Sequence, residues 1–322
     1  MPALVSVLDT NAYIALSPAR VAALLARERS QGVIAVAAHH AMFELVTGSL
    51  NADERHAAKR FAGLTRLYQH CSQFNGSHPV LRDMVYSDAQ AAHDLLGRHS
   101  DDYELYGSLL GRLIHWQVTS GDRTWGDHRA VVETLRDDRD ERERRFSDTL
   151  FTHVVRGIAP DARGWQDVTT NSPLRTAILA KAAAGEGKAL LGRSIAIRAA
   201  RHVGITLSDP EIDPLARRAR AIYPVPVALL DNIIQAIILN GRDMARPEHA
   251  NSLWDYEISF CVADGTHVDG APVHLITTDR GILDAAAQVG AENVRSLEAY
   301  EQLLDLPYED FRAVVDLRPA AR

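Results

Sequence analysis

Two apolar runs, far apart in the chain, each stop at an aspartate and lead straight into helix-like sequence. ALVSVLD ends at Asp9 and is followed by Thr10 and Asn11; PVHLITTD ends at Asp279. Continuous apolar runs of this length suit strands covered on both faces, as in a parallel α/β sheet. If both strands belong to one parallel sheet, both carboxylates reach its C-terminal edge, where open α/β sheets place their ligands. A competing reading is local. Asp, Thr and Asn are good helix N-caps, so each acid has a structural use without any ligand.

The rest of the chain supports the α/β pattern at both ends. GVIAVAA (32–38) predicts a second strand, and HHAMFELVTGSL (39–50) a helix carrying Glu44. Pro18 separates two short helical runs between the first strands. From about residue 51 the spacing of apolar residues is almost only helical, with 159–173 reading as a loop and LSDPEIDP (207–214) as an interruption. NSLWDYEISFCVADG then predicts a helix, PVHLITTD a strand, RGILDAAAQVG a helix and ENVRSL a last short strand. The expected organisation is a discontinuous α/β domain, residues 1–50 and 251–322, interrupted by a mainly helical insertion or subdomain at 51–250.

Glu44 and Asp255 interrupt apolar helical patterns. Charged side chains on a core-facing helix face are rarely buried unless paired or bound to a cation. With Asp9 and Asp279 they make four candidate carboxylates. Gathered in one cleft they would repel one another and require cations, and hard oxygen donors suit Mg²⁺ or Mn²⁺. Such a site can activate water and stabilise charge in phosphodiester hydrolysis. The third acid has a rival in Asp231, since LLDNIIQAII repeats an Asp-x-x-Ile pattern.

In VLDTNAYIAL, HHAMFELVTGSL, LWDYEISFCVAD and HLITTDRGILDAAAQVGAENV the chain resembles the PIN-like nuclease domain. The resemblance implies a central parallel sheet of about five strands flanked by helices. It also implies metal-dependent cleavage of RNA that leaves a 5′-phosphate, with Asp9, Glu44, Asp255 and Asp279 as the metal-holding acids. Thr278 matches the hydroxyl residue before the last acid. Thr10 and Asn11 match the polar pair after the first, and Thr278 and Asn11 would orient ligands or water. Many relatives are toxins paired with an antitoxin. The matched segments cover about one third of the chain, and some 200 residues stand where small toxin-type members have a few helices.

Other motifs carry less. GEGKALLG lacks the upstream glycine and the Ser or Thr after Lys188 that a phosphate loop needs. In LDTN, Asn11 stands where a phosphatase with an aspartate nucleophile would want its second acid. Residues 181–220 hold eight Lys or Arg against four acids, a net of four positives that would suit a nucleic-acid backbone if turned towards the cleft. Overall the chain is acidic, with 35 Lys and Arg against 42 Asp and Glu. That excludes a strongly basic nucleic-acid coat but not a local basic groove. Two distant cysteines, Cys71 and Cys261, argue against a disulfide framework. No basic leader or apolar run of about 18 residues suggests export or a bilayer span, so the expected location is cytoplasmic.

The sequence reading is thus a divalent-metal-dependent endoribonuclease acting on RNA, expected to be single-stranded. A protein partner such as an antitoxin, or a homo-oligomer, is compatible with it. The alternatives are a non-catalytic PIN-like interaction protein and a structure-specific DNA nuclease, because no residue pattern reads the 2′-hydroxyl.

Overall fold

A computed structural model describes residues 2–50, 53–75, 78–81, 83–84, 86–98, 102–183, 186–240 and 252–316. It is a mixed α/β fold, a mostly parallel sheet flanked by many helices.

The first strand, β1 (Leu4–Leu8), is buried at all five positions, as an uninterrupted apolar run requires of a strand covered on both faces. β2 (Val33–Ala35) lies parallel to one side of it. The run read as one strand at 32–38 divides at Val36. β3 (Ala37–Ala38) leaves the main sheet and pairs in parallel with β6 (Asp83–Met84). On the other side of β1 lies β8 (Ala271–Thr277), parallel, with Leu8 opposite Ile276. β9 (Val294–Ser296) completes the parallel set against β8. β7 (His267–Val268) folds back antiparallel on the start of β8. Asp269 and Gly270 between them both have positive φ, 52° and 78°, the demand of a tight two-residue hairpin turn. β1 and β8 are therefore central neighbours, and their C-terminal ends point the same way.

Residues 54–240 are mainly helical, with local departures from the sequence reading. β4 (Ser72–Asn75) and β5 (His78–Leu81) form an antiparallel hairpin inside a stretch expected to be helical. The Trp165–Thr170 helix falls inside the expected loop. The Asp209–Ile222 helix begins inside the expected interruption, because Ser208 and Glu211 form a capping box. Pro210 takes a first-turn position, where a missing N–H costs nothing.

These helices share the sheet's apolar core. The Pro224–Asn240 helix packs on the Arg280–Val289 helix, and His39–Gly48 packs on Glu54–Cys71 and Asp102–Ser120. Trp125 is fully buried, stacks on Trp116 and donates from Nε1 to Ser49 Oγ at 2.8 Å. Among the described residues no single helix is long and apolar enough to cross a membrane.

The closest helix approach sets a prediction. A Cβ on Gly192, in the Glu186–His202 helix, would lie 2.5 Å from the Ala216 carbonyl oxygen of the Asp209–Ile222 helix. Backbone cannot swing aside as a side chain can. Alanine gains about 1 kcal/mol of helix preference over glycine, but overpacking against rigid backbone falls in the upper part of its range, about 2–3 kcal/mol. Gly192→Ala should therefore lose about 1–2 kcal/mol in urea unfolding, while Gly164→Ala, which meets nothing within 4 Å, should be near neutral. Equal stability of the two variants would refute this close-packing account.

Candidate functional site

The C-terminal ends of β1 and β8 carry the first two acids. Asp9 caps the Thr10–Ala15 helix, its Oδ1 accepting from the Ala12 N–H at 2.6 Å. Asp279 caps the Arg280–Val289 helix, its Oδ1 accepting from the Ile282 N–H at 3.0 Å. Capping thus uses one oxygen of each carboxylate and does not exclude a second role.

Thr277 ties these two strand ends together. Its hydroxyl donates to Asp9 Oδ2 at 2.5 Å and accepts from the Asp279 N–H at 2.9 Å. The side chain is fully buried. The hydroxyl that bridges the strand ends is that of Thr277, not that of its neighbour Thr278. Thr278 follows the last strand residue and is exposed, whereas Thr277 ends β8 facing inward. Thr277→Val keeps the shape and removes the donor. It should cost about 1–3 kcal/mol in chemical unfolding, with Thr278→Val within about 0.5 kcal/mol of wild type. The reverse order would refute the bridge.

Glu44 projects from the middle of the His39–Gly48 helix, and its Oε1 accepts from Arg60 Nη1 at 2.9 Å. Asp255 lies in the Ser252–Ile258 helix. Beside it Trp254 is pinned by an Nε1 bond to Glu143 Oε1 at 2.7 Å. Asp9, Glu44 and Asp255 line one small cleft of about 10 Å³ together with Thr10, Asn11, His40 and Trp254. That is room for one water-sized group. Asn11 is exposed at its rim.

Asp9 and Asp255 each lie in the field of neighbouring acids. Burial, with the charges of Glu44 and Asp279 added, lifts Asp9 to about 7 against the pull of its Thr277 and Ala12 bonds. Burial, then the charges of Asp279, Glu44 and Asp9, lifts Asp255 to about 8. Among the described residues no hydrogen bond or ion pair reaches the Asp255 carboxylate. Asp231, the rival third acid, belongs elsewhere. Burial raises it too, but its neighbours are Lys188 and a donor on Gln235. Glu257, a neighbour of Asp255 in sequence, turns away from the cleft to face Arg198, Ser87 and His40.

The donor chemistry suits a hard divalent cation. The spacing is open: among the described residues no three His, Cys, Asp or Glu side chains stand close enough to form a ready cage. Mg²⁺ rarely needs one, since it is usually held by one or two carboxylates, waters and substrate phosphates. The set therefore fits an ion recruited with its substrate better than a permanently enclosed one.

No family model matches the chain, and no curated protein or solved structure matches it either.

The basic stretch at 181–220 does not form a single free surface. Lys181 donates to the Ile158 carbonyl, Arg193 pairs with Asp209 and Asp213, and Arg198 pairs with Asp88 and Glu257. Arg198 and His40 point into a larger cavity beside the acid cleft, which sequence reasoning missed. No local signal marks it, because its walls come from helices far apart in the chain.

Proposed function

We propose that the protein is a divalent-metal-dependent phosphodiester hydrolase of PIN-like type, acting on RNA. The observation that carries this reading is Asp255. It is a half-buried carboxylate, beside three other acids, without a hydrogen-bond or ion-pair partner among the described residues. Three like charges crowd it, which is unfavourable without a cation, and it caps no helix among the described residues. A bound cation gives the arrangement a purpose.

When bound, Mg²⁺ or Mn²⁺ would supply Lewis acidity and an activated water. Asp9, Asp255 and Asp279 would hold it, with Glu44 as a fourth acid steadied by Arg60. Thr277 fixes the rotamer of Asp9 and the backbone of Asp279 at once. Asn11 and Thr10 offer polar contacts at the cleft's rim.

A second reading has its own support. The ion pair of Glu44 with Arg60 and the absence of a closed three-ligand set among the described residues both favour a PIN-like fold used for binding rather than catalysis.

The deciding experiment is cleavage of an end-labelled single-stranded RNA pool, with a matched DNA panel, in Mg²⁺, Mn²⁺ and EDTA. The hydrolase reading expects cutting that leaves 5′-phosphates and disappears in EDTA, in Asp255→Asn and in Asp279→Asn. Cutting of DNA alone would change the substrate class. Silence on both polymers in every metal would leave the binding reading.

A further inference from the structure

The cavity beside the acid cleft has a volume of about 410 Å³. That lies within the range of roughly 300–1,000 Å³ typical of small-ligand pockets. His40 and Trp254 belong to its wall and also to the wall of the acid cleft. The two spaces are thus neighbours across those two side chains.

Its lining is aromatic, and its charges are already spent on each other. Tyr86 stacks on His40 with ring centroids 5.5 Å apart and an angle of 20°. Phe146 and the pinned Trp254 add two more rings. Among the described residues each arginine of the wall is in an ion pair. Arg198 pairs with Asp88 at 2.7 Å and Glu257 at 2.5 Å, Arg142 with Asp138 at 2.9 Å, and Arg145 with Glu141 at 2.6 Å. Glu141 is shared between Arg145 and Arg144, so a phosphate at this wall would compete with carboxylates already in place.

What remains open is hydrogen-bonding capacity on two imidazole rings. His40 is 5 % exposed, and its Nε2 has no hydrogen bond, the nearest carboxylate oxygen being Glu257 Oε2 at 3.6 Å. The buried Nε2 of His202 also lacks a partner among the described residues. A neutral imidazole nitrogen can donate or accept according to its tautomer. Flat rings and adaptable imidazole edges together suit a planar heteroaromatic ring.

We infer that this cavity seats one unpaired nucleobase of the strand whose backbone lies at the carboxylates. The choice of a nucleobase among heteroaromatic rings rests on the hydrolase reading; the existence of a ring-binding pocket does not. Stacking on aromatic side chains tolerates every base, and edge contacts to the two histidines would set the preference.

The test is calorimetric titration in EDTA, where no hydrolysis occurs. The ligands are the four nucleosides, their 5′-monophosphates, ribose 5-phosphate and inorganic phosphate. At least one nucleoside should bind with Kd below about 1 mM. Its monophosphate should bind within about threefold of it, because the phosphate adds little where the arginines are already paired. Ribose 5-phosphate and phosphate should not bind. His202→Ala, a partly exposed position, and Thr149→Trp, which fills the cavity from its wall, should each weaken binding by about tenfold or more. Asp279→Asn should bind as wild type. Failure of every nucleoside, equal binding of ribose 5-phosphate, or unchanged affinity in both folded pocket variants would overturn the inference. RNA cleavage without nucleoside binding would sink the pocket and leave the hydrolase standing. Nucleoside binding without cleavage in any metal would do the opposite.

Discussion

In EDTA at pH 8, Asp255→Asn should be more stable than the wild type, and on the proposed hydrolase reading it should lack cleavage when Mg²⁺ is supplied. The acid has its pKa lifted to about 8 by burial and then by Asp279, Glu44 and Asp9. A carboxylate whose folded pKa lies above its unfolded value of 3.8 favours the folded state fully below that value. The advantage is lost as pH rises through the folded value. Asp9, lifted to about 7, behaves alike. The metal-free protein should therefore weaken between about pH 4 and pH 8. Asp255→Asn removes part of that decline and should gain about 1–3 kcal/mol at pH 8, a melting shift of several degrees. Mg²⁺ should raise the wild-type melting temperature and leave the variant's nearly unchanged. Cleavage should fall by at least about 100-fold, since even groups behind metal ligands are commonly worth 10–100-fold. If Asp255→Asn melts below wild type under these conditions, the carboxylate makes a stabilising contact and the cation reading fails.

The second large effect lies away from the cleft. Glu28, in the Pro18–Ser30 helix, is fully buried, and its carboxylate joins three parts of the chain. Oε1 accepts from Ser6 Oγ and from the Tyr300 hydroxyl, each at 2.7 Å, and Oε2 meets His70 Nε2 at 2.7 Å. The His70 ring contacts the Tyr13 hydroxyl at 3.1 Å, and that hydroxyl lies 3.1 Å from Cys71 Sγ. Burial alone would pull His70 down, but the Glu28 carboxylate overrides it and holds the imidazole up at about 10. Burial would likewise raise Glu28, yet His70, with bonds from Tyr300 and Ser6, keeps it below its usual range.

Glu28→Gln breaks this pair and leaves His70 buried without its counter-charge, at a cost of about 3–5 kcal/mol. The pH dependence has a definite sign. The stability His70 contributes is complete below its unfolded value of 6.5 and is lost as pH rises through about 10. The share from Glu28 is present above 4.5 and lost as the solution becomes more acidic. Urea unfolding at several pH values between about 5 and 10 should show the wild-type advantage over Glu28→Gln shrinking on the alkaline side. An advantage that stays constant to pH 10 would rule out a charged pair.

The acid ends of β1 and β8 were legible because their signal is local: an apolar run, an aspartate, then a helix. Their adjacency was not local, but parallel strands of one sheet share an edge, so the inference survived the intervening residues. Glu44 and Asp255 could be singled out as charges within apolar helical patterns. The choice between Thr277 and Thr278 could not be made this way, because it turns on where β8 ends and which threonine faces inward. The β4–β5 pairing had a sequence signal in Gly76-Ser77, a two-residue turn pair lying between segments with helical spacing. Glu28 had none. In ARERS it reads as one more charge on a solvated helix, and its partners lie 22, 42 and 272 residues away. Arg198 is similar, since its place in a basic stretch suggested an outward groove while its ion pairs draw it inward.

The bond from Thr277 to Asp9 spans 268 positions of the chain. At a translation rate of about 5–20 residues per second, roughly 13–54 s separate the synthesis of those two residues. Through that interval β1 lacks β8, and neither Thr277 nor Asp279 yet exists to stand beside Asp9. On the proposed reading, a growing polypeptide cannot cut the message from which it is being read. On that same reading, hydrolytic competence waits for the synthesis of Thr277 and Asp279, so order of synthesis itself delays the activity.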